Sequence, residues 1–258
     1  MRVAPQVSGS IRVVAVGSGY PVPTMDVPGF GSLAPLGEFF VLPAADGDTW
    51  MPITSLLSDA ATVRDYADLT LTAIAASMGV GTADVPIKAA ASSAHLSITA
   101  RLLSPVVGAA VCLHTVPLLG PDSIRWHRDS SHRPILGVTH LDWVAVTGSE
   151  QAAAVIIDPL VEGVLRPLNE TMRSATALSP QVLWGNIASA ANGAVTVLSM
   201  SRPQDEPRGR ALIAALLAAH PLSGAAEFVG GRFMRRNCCL YYRIPGGGYC
   251  GDCIFTDS

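Results

Sequence analysis

Charge is scarce in this chain of 258 residues: Lys, Arg, Asp and Glu make up 14% of it, and they nearly cancel to a formal net charge of -3 with a pI near 6.0. A protein without a basic excess lacks the electrostatic footprint of nucleic-acid binding. The mean hydropathy of +0.38 is high for a soluble protein and leaves room for a face covered by a partner or lying peripherally on a membrane. An export signal is also missing, because the run Ile11–Val16 is short, strand-like and interrupted by Arg12. A membrane span is not expected either. Leu102 to Pro121 carries no formal charge over 20 positions, but Pro105, Pro117 and Pro121 break it and Ser104 and His114 make it partly polar, so a buried helix with irregular ends is predicted there. Both absences point to the cytoplasm. Finally, no Gly-x-Gly-x-x-Gly, Walker loop or Gly-x-Ser-x-Gly occurs, which leaves a tightly bound flavin, a nucleotide site and a hydrolase nucleophile without support.

The patterning predicts a mainly α protein with minor β, a helical domain carrying a small C-terminal segment. The first 57 residues are rich in Pro and Gly, with strand-like pieces at Ile11–Val16 and Glu38–Leu42. Ser58 or Asp59 can cap a helix whose apolar positions Val63, Ala67, Leu71, Ile74 and Met78 recur at three and four residues, with Gly79 at its end. A second helix is expected from Pro86 to about Leu103. Asp158-Pro159 and Ser179-Pro180 each pair a capping side chain with a proline suited to a first helical turn, giving helices near 159–176, kinked at Pro167, and 180–192. Pro207 opens another helix that stops at His220-Pro221, and Ser123 to Thr147 reads as a β excursion. At 26.8 kDa one compact body is expected, residues 1–230, with residues 231–258 as an appendage.

That appendage holds four of the five cysteines: Cys238-Cys239, ten residues, Cys250, two residues, Cys253. Disulfides rank last among the explanations, since a chain this long can build a core without staples and an odd cysteine total suits a reducing compartment. Structural zinc would take two Cys-x2-Cys pairs, and only Cys250 and Cys253 have that spacing. Neighbouring side chains in an extended strand point to opposite faces, so Cys238 and Cys239 share a site only if the backbone kinks or the site is broad. A [2Fe–2S] rhomb is broader than one zinc ion and takes four thiolates. The intervening Leu-Tyr-Tyr-Arg-Ile-Pro-Gly-Gly-Gly-Tyr predicts a short strand and a sharp turn at Pro245 to Gly248, whose glycine N–H groups could reach a cluster sulfur.

Cys-Cys-x10-Cys-x2-Cys, running here from Arg235-Arg236-Asn237-Cys238-Cys239-Leu240-Tyr241-Tyr242-Arg243 to Gly248-Tyr249-Cys250-Gly251-Asp252-Cys253, resembles the C-terminal segment of the FhuF-type ferric-siderophore reductases. The stretches Arg101-Leu102-Leu103-Ser104-Pro105 and Leu183-Trp184-Gly185-Asn186-Ile187-Ala188-Ser189 resemble recurrent parts of the same proteins. The resemblance implies a [2Fe–2S] cluster on Cys238, Cys239, Cys250 and Cys253. It further implies an oxidoreductase that passes one electron to Fe(III) in a siderophore, a hydroxamate ahead of a catecholate, and releases Fe(II) in the cytoplasm. Lacking a nucleotide site, such a protein would take electrons from an external donor such as a ferredoxin or an NAD(P)H-dependent reductase. Two other classes keep the cysteines but change the role: an iron–sulfur sensor or electron-transfer module without turnover, and a zinc-stapled structural protein.

Arg232, Arg235, Arg236 and Arg243 surround the first cysteine pair, where cations would balance an anionic cluster and steer an acidic donor or anionic chelate. With Arg101, Trp184 and Asn186 from the resembling stretches, Arg235, Arg236 and Arg243 are the candidates for docking. By local pattern alone, Arg101 is a helix-end cation, Trp184 a core-edge ring and Asn186 a polar helix residue. Trp126 to Arg133, with two histidines, reads as a polar loop before it reads as a chelate pocket. His95 and His114 read as hydrogen-bonded core residues and Cys112 as a buried small hydrophobe.

Overall fold

The structure, a computed structural model, describes residues 29–127 and 134–255. The expected strand at Ile11–Val16 and most of the histidine-bearing loop, residues 128–133, lie outside the described residues. The chain enters through a 3-10 turn at Phe30–Leu36 and a second at Glu38–Phe40. A strand was expected at Glu38–Leu42, but Phe40 is needed as a core side chain and packs directly on Gly108; a Cβ there would lie 2.7 Å from the Phe40 ring.

Strand β1 (Met51–Pro52) and the one-turn helix α1 (Thr54–Ser58) lead to α2 (Ala60–Met78). Asp59 caps α2, its carboxylate accepting from the Ala61 N–H at 2.9 Å and the Thr62 hydroxyl at 2.6 Å, and Gly79 closes the helix in the left-handed region. Of its five predicted inward positions, Val63 and Ala67 are buried and Leu71, Ile74 and Met78 half-buried.

Helix α3 (Ile87–Cys112) runs well past the expected end at Leu103. Pro105 removes one backbone hydrogen bond, and the helix continues because Val106, Val107, Ala109 and Val111 beyond it are all buried. Helix α3 is long and apolar enough to cross a membrane by length and composition, yet 72% of its most apolar 18-residue window is buried inside the fold. His114 departs from its expected place: it lies just beyond α3, exposed, with φ 54. Cys112, at the last helical position, is half-buried against the core.

Two small antiparallel sheets form the β excursion. Strand β2 (Thr115–Pro117) pairs with β5 (Trp143–Ala145), while β3 (Ile124–His127) lies between β1 and β4 (Ile135–Val138), with Met51 opposite Trp126 and Trp126 opposite Leu136. Trp126 and His127, expected in a loop, therefore belong to a strand; the indole is buried and donates to Ser55 Oγ at 2.8 Å.

Helix α4 (Ser149–Ile156) passes without a break through a π-helical stretch, Ile157–Leu165, into α5 (Arg166–Thr176). A helix start at Asp158-Pro159 and a kink at Pro167 were expected. Instead the wider turns accommodate Pro159, which has no N–H to place in a ladder, and Pro167 occupies the first turn of α5. Helix α6 (Pro180–Ser201) is capped by Ser179 as predicted, outlasts its predicted end, and packs along α3 as the principal helix pair; α7 (Glu206–Ala218) packs on it in turn. The hairpin of β6 (Ala226–Val229) and β7 (Arg232–Arg235) closes the described chain ahead of the cysteines, and the expected boundary at residue 230 falls in its Gly230-Gly231 turn.

Candidate iron–sulfur centre

Strand β7 ends at Arg235, and three residues later the chain reaches Cys238-Cys239. The short strand expected after them does not form. Leu240 adopts φ 69, which turns the chain sharply, and Tyr241–Arg243 make a single 3-10 turn. This is the kink that adjacent cysteines require to serve one site. It also aims two backbone donors at sulfur: the Leu240 N–H lies 3.2 Å from Cys238 Sγ, and the Tyr241 N–H donates to Cys239. The Phe255 N–H supplies a third, 3.5 Å from Cys253 Sγ. The glycines had been expected to be such donors, but their part is to tighten the return: Gly247 donates to the Ile244 carbonyl at 2.8 Å, and a Cβ on it would lie 2.6 Å from the Tyr241 oxygen.

Ile244, between the cysteine pairs, is 1% exposed and inserts among Ala75, Val85, Ala89 and Ala90, pinning the turn against α2 and α3. Cys239 and Cys253 are buried, Cys238 and Cys250 half-buried, and no disulfide joins them. The Cys239 and Cys250 sulfurs are 3.5 Å apart. Two thiolates on one tetrahedral metal with bonds of about 2.3 Å would be about 3.7 Å apart, so this pair is close to the spacing a shared metal demands. The hydrogen bond between the two sulfurs splits their titration: it is the first cause both of Cys239 being held low and of Cys250 being pushed up. Burial raises Cys238. Among the described residues no three His, Cys, Asp or Glu side chains gather closely enough to hold a single ion.

The charge beneath the thiols decides which group fits. Arg235 is 2% exposed. Its Nη2 donates to Asn186 Oδ1 at 2.6 Å and to the Val182 carbonyl at 3.4 Å, its Nε has no acceptor, and no carboxylate among the described residues pairs with it. A buried cation without a counter-ion costs several kcal/mol, roughly 3–5 when a pair is broken. Arg235 acts electrostatically on Cys238, Cys239 and Cys250, and a [2Fe–2S] unit on four thiolates is anionic, so the donor set and the orphaned cation complement each other.

A polar chain behind Arg235 fixes its position. With its oxygen committed to the guanidinium, the fully buried Asn186 turns Nδ2 to the Ser92 carbonyl at 3.1 Å, Ser92 Oγ at 3.0 Å and His95 Nδ1 at 3.4 Å. His95 Nε2 then donates to Asn169 Oδ1 at 2.8 Å. Burial, with Arg235 adding to it, holds the His95 imidazole at about 3, hence neutral, in the tautomer this chain of bonds requires. His95 is thus the hydrogen-bonded core residue that was expected.

The docking candidates separate. Arg235 and Asn186 are buried and cannot meet a partner directly. Arg236 is exposed and bidentate with Glu227 at 3.1 and 3.2 Å. Arg243 lies over the Tyr242 ring at 5.8 Å, both exposed, and Tyr242 packs edge-on against the exposed Phe255. Trp184, half-buried, carries Arg166 over its ring at 5.4 Å and joins Asn237 in lining a cavity of about 150 Å³. Arg101 is remote from the sulfurs in sequence but lines a second cavity, shared with Tyr241.

Several supporting residues escaped the sequence reading. Ser189 donates to Asp252, between the last two cysteines, and Gly185 lets the segment approach so closely that a Cβ would lie 2.3 Å from Asn237 Oδ1 and 3.0 Å from Arg235 Nη2. Their signal was present: Gly185, Asn186 and Ser189 are small or polar residues three and four apart in an otherwise apolar helix, a face built to meet something polar. No curated protein matches the chain. Residues 235–253, which begin at the buried arginine and span all four cysteines, match the family model described as the FhuF 2Fe-2S C-terminal domain, so this segment is similar to a [2Fe–2S]-binding domain.

Proposed function

We propose that the protein is a ferric-siderophore reductase of the cytoplasm, acting on Fe(III) held by hydroxamate oxygens. The observation that supports this most directly is the FhuF-type match at residues 235–253, which spans four cysteines, three of them in the field of the buried Arg235. When bound, a [2Fe–2S] cluster supplies one electron to the chelated Fe(III), which becomes Fe(II), and an external ferredoxin or NAD(P)H-dependent reductase returns that electron.

The chain's own residues do the rest. Arg235 offsets the negative charge of the thiolate-bound centre, favouring the reduced state, and the N–H groups of Leu240, Tyr241 and Phe255 act in the same direction. The half-buried Cys238 and Cys250 bring one edge of the site to the surface, keeping the distance to a docked molecule short. Arg243, Tyr242 and Phe255 form an exposed cationic and aromatic rim suited to an acidic donor. No acid–base residue is required: hard oxygen donors hold Fe(III) far more tightly than Fe(II), so release follows reduction.

The test is an anaerobic visible spectrum of the purified protein through dithionite reduction and addition of a ferric trihydroxamate. Red-brown absorption that bleaches on reduction and returns with one Fe(II) per electron is the expected result. A colourless zinc protein would end the proposal. A centre that reduces but ignores several ferric chelates would identify a sensor or an electron carrier.

A further inference from the structure

The cysteine turn borders two cavities. The one beside Trp184 and Asn237 holds about 150 Å³. The other, between α2, α3 and the Tyr241 turn, holds about 300 Å³ and is lined by Thr70, Ser93, Ser97 and Arg101 as polar groups, with Phe39 and Tyr241 as rings. We propose that this second cavity, with Arg101 at its wall, seats one face of the ferric hydroxamate; the inference rests on the reductase reading and gives it a place.

Three properties of the lining point this way. First, its polar groups can donate hydrogen bonds and one is uncommitted: Ser93, half-buried, has no hydrogen bond among the described residues. A hydroxyl donor at a cavity wall that has no protein acceptor is one an oxygen-rich ligand can engage. Second, Arg101 is balanced by Glu38, 3.3 Å away at the exposed rim, and its guanidinium is held flat by Phe39 at 4.5 Å from the ring centre. The paired charges cancel, and three hydroxamates on Fe(III) likewise cancel, so a near-neutral wall meets a neutral complex with donors facing acceptors. Third, Tyr241 belongs to both sites. Its backbone N–H donates to the Cys239 sulfur and it also lines the cavity, so a chelate seated there touches a residue two positions from a cluster ligand. The whole complex is larger than the cavity, so part of it stays in water, as a product that must dissociate requires.

The redox-inert gallium(III) trihydroxamate separates binding from electron transfer. Its affinity is measured by calorimetry for the cluster-loaded wild type, for Arg101→Gln, and for Ser93→Phe, which fills the cavity. The expected result is binding weakened at least tenfold in each variant, with the visible spectrum and midpoint potential of the cluster unchanged and KM for the ferric complex raised by a similar factor while kcat holds. Should Ser93→Phe fail to fold, Arg101→Gln alone decides. A wild type that reduces the ferric complex beside variants that bind the gallium complex equally well would overturn the cavity and leave the reductase standing. A wild type that neither binds the gallium complex nor reduces the ferric one would overturn both.

Discussion

Arg235 is the residue whose environment makes least sense without a bound anion. Replacing it by Gln keeps a hydrogen-bond donor for Asn186 Oδ1 and removes the charge. For charges about 8 Å apart at an effective dielectric of about 20, the loss is worth roughly 2 kcal/mol. In a one-electron couple that corresponds to roughly 90 mV, and the sign is downward, because the more negative reduced state loses more. A potentiometric titration followed by visible absorption checks it, and an Arg235→Gln protein with the wild-type potential would show that the charge is screened from the centre. Sequence alone placed an arginine before the cysteines and could not say that it faces inward. Arg235 ends strand β7 with its side chain buried while Arg236, just beyond the strand, is exposed; which one is buried depends on α6 supplying Asn186, 49 residues away.

At the scale of elements, α6 is a platform for the cysteine segment. Its Gly185 should be a weakness: Ala in its place would favour the helix by about 0.5–1 kcal/mol. The same substitution would push a methyl group against Asn237 and Arg235. Gly185→Ala is therefore expected to retain or raise the helical circular dichroism while its cluster is lost to a chelator several-fold faster than from the wild type; equal rates of loss would mean that the segment shifts freely to make room. The elements themselves were largely readable. Asp59 and Ser179 cap their helices because their side chains satisfy orphan N–H groups locally, whatever surrounds them. Two of the misplaced helix boundaries share one cause. Pro105 and Pro159 looked like boundaries, since the local cost of a missing N–H is visible in sequence, while the burial that outweighs it comes from distant parts of the chain.

For the whole molecule, the polar chain from Arg235 to Asn169 crosses from the cysteine segment through α6 and α3 to α5 and makes stability depend on pH. His95 titrates near 6.5 when unfolded and about 3 when folded. Between those values the unfolded chain binds the additional proton, so stability is complete above 6.5 and falls as pH drops, by up to about 1.4 kcal/mol per pH unit. Urea denaturation at pH 7 and pH 5 should show the wild type losing stability, and His95→Gln, though weaker at pH 7, losing less between the two. Equal losses would move the dependence to other groups; Asp59, Glu162 and Glu227, all held below the usual carboxylate range, titrate outside that interval.

What the sequence by itself determined is what short-range chemistry determines: the mainly helical character, the capped helices, and four closely spaced cysteines that point to a metal or cluster site. The tertiary structure decided which polar residues serve that site. Asn186, Ser189 and Gly185 come from a helix far from residue 238 in sequence, and nothing local distinguishes a polar helix residue facing water from one facing a buried guanidinium. That distinction arises only when α3 and α6 pack together, because burial removes the water that would otherwise have satisfied those groups and leaves each to find its partner across the core.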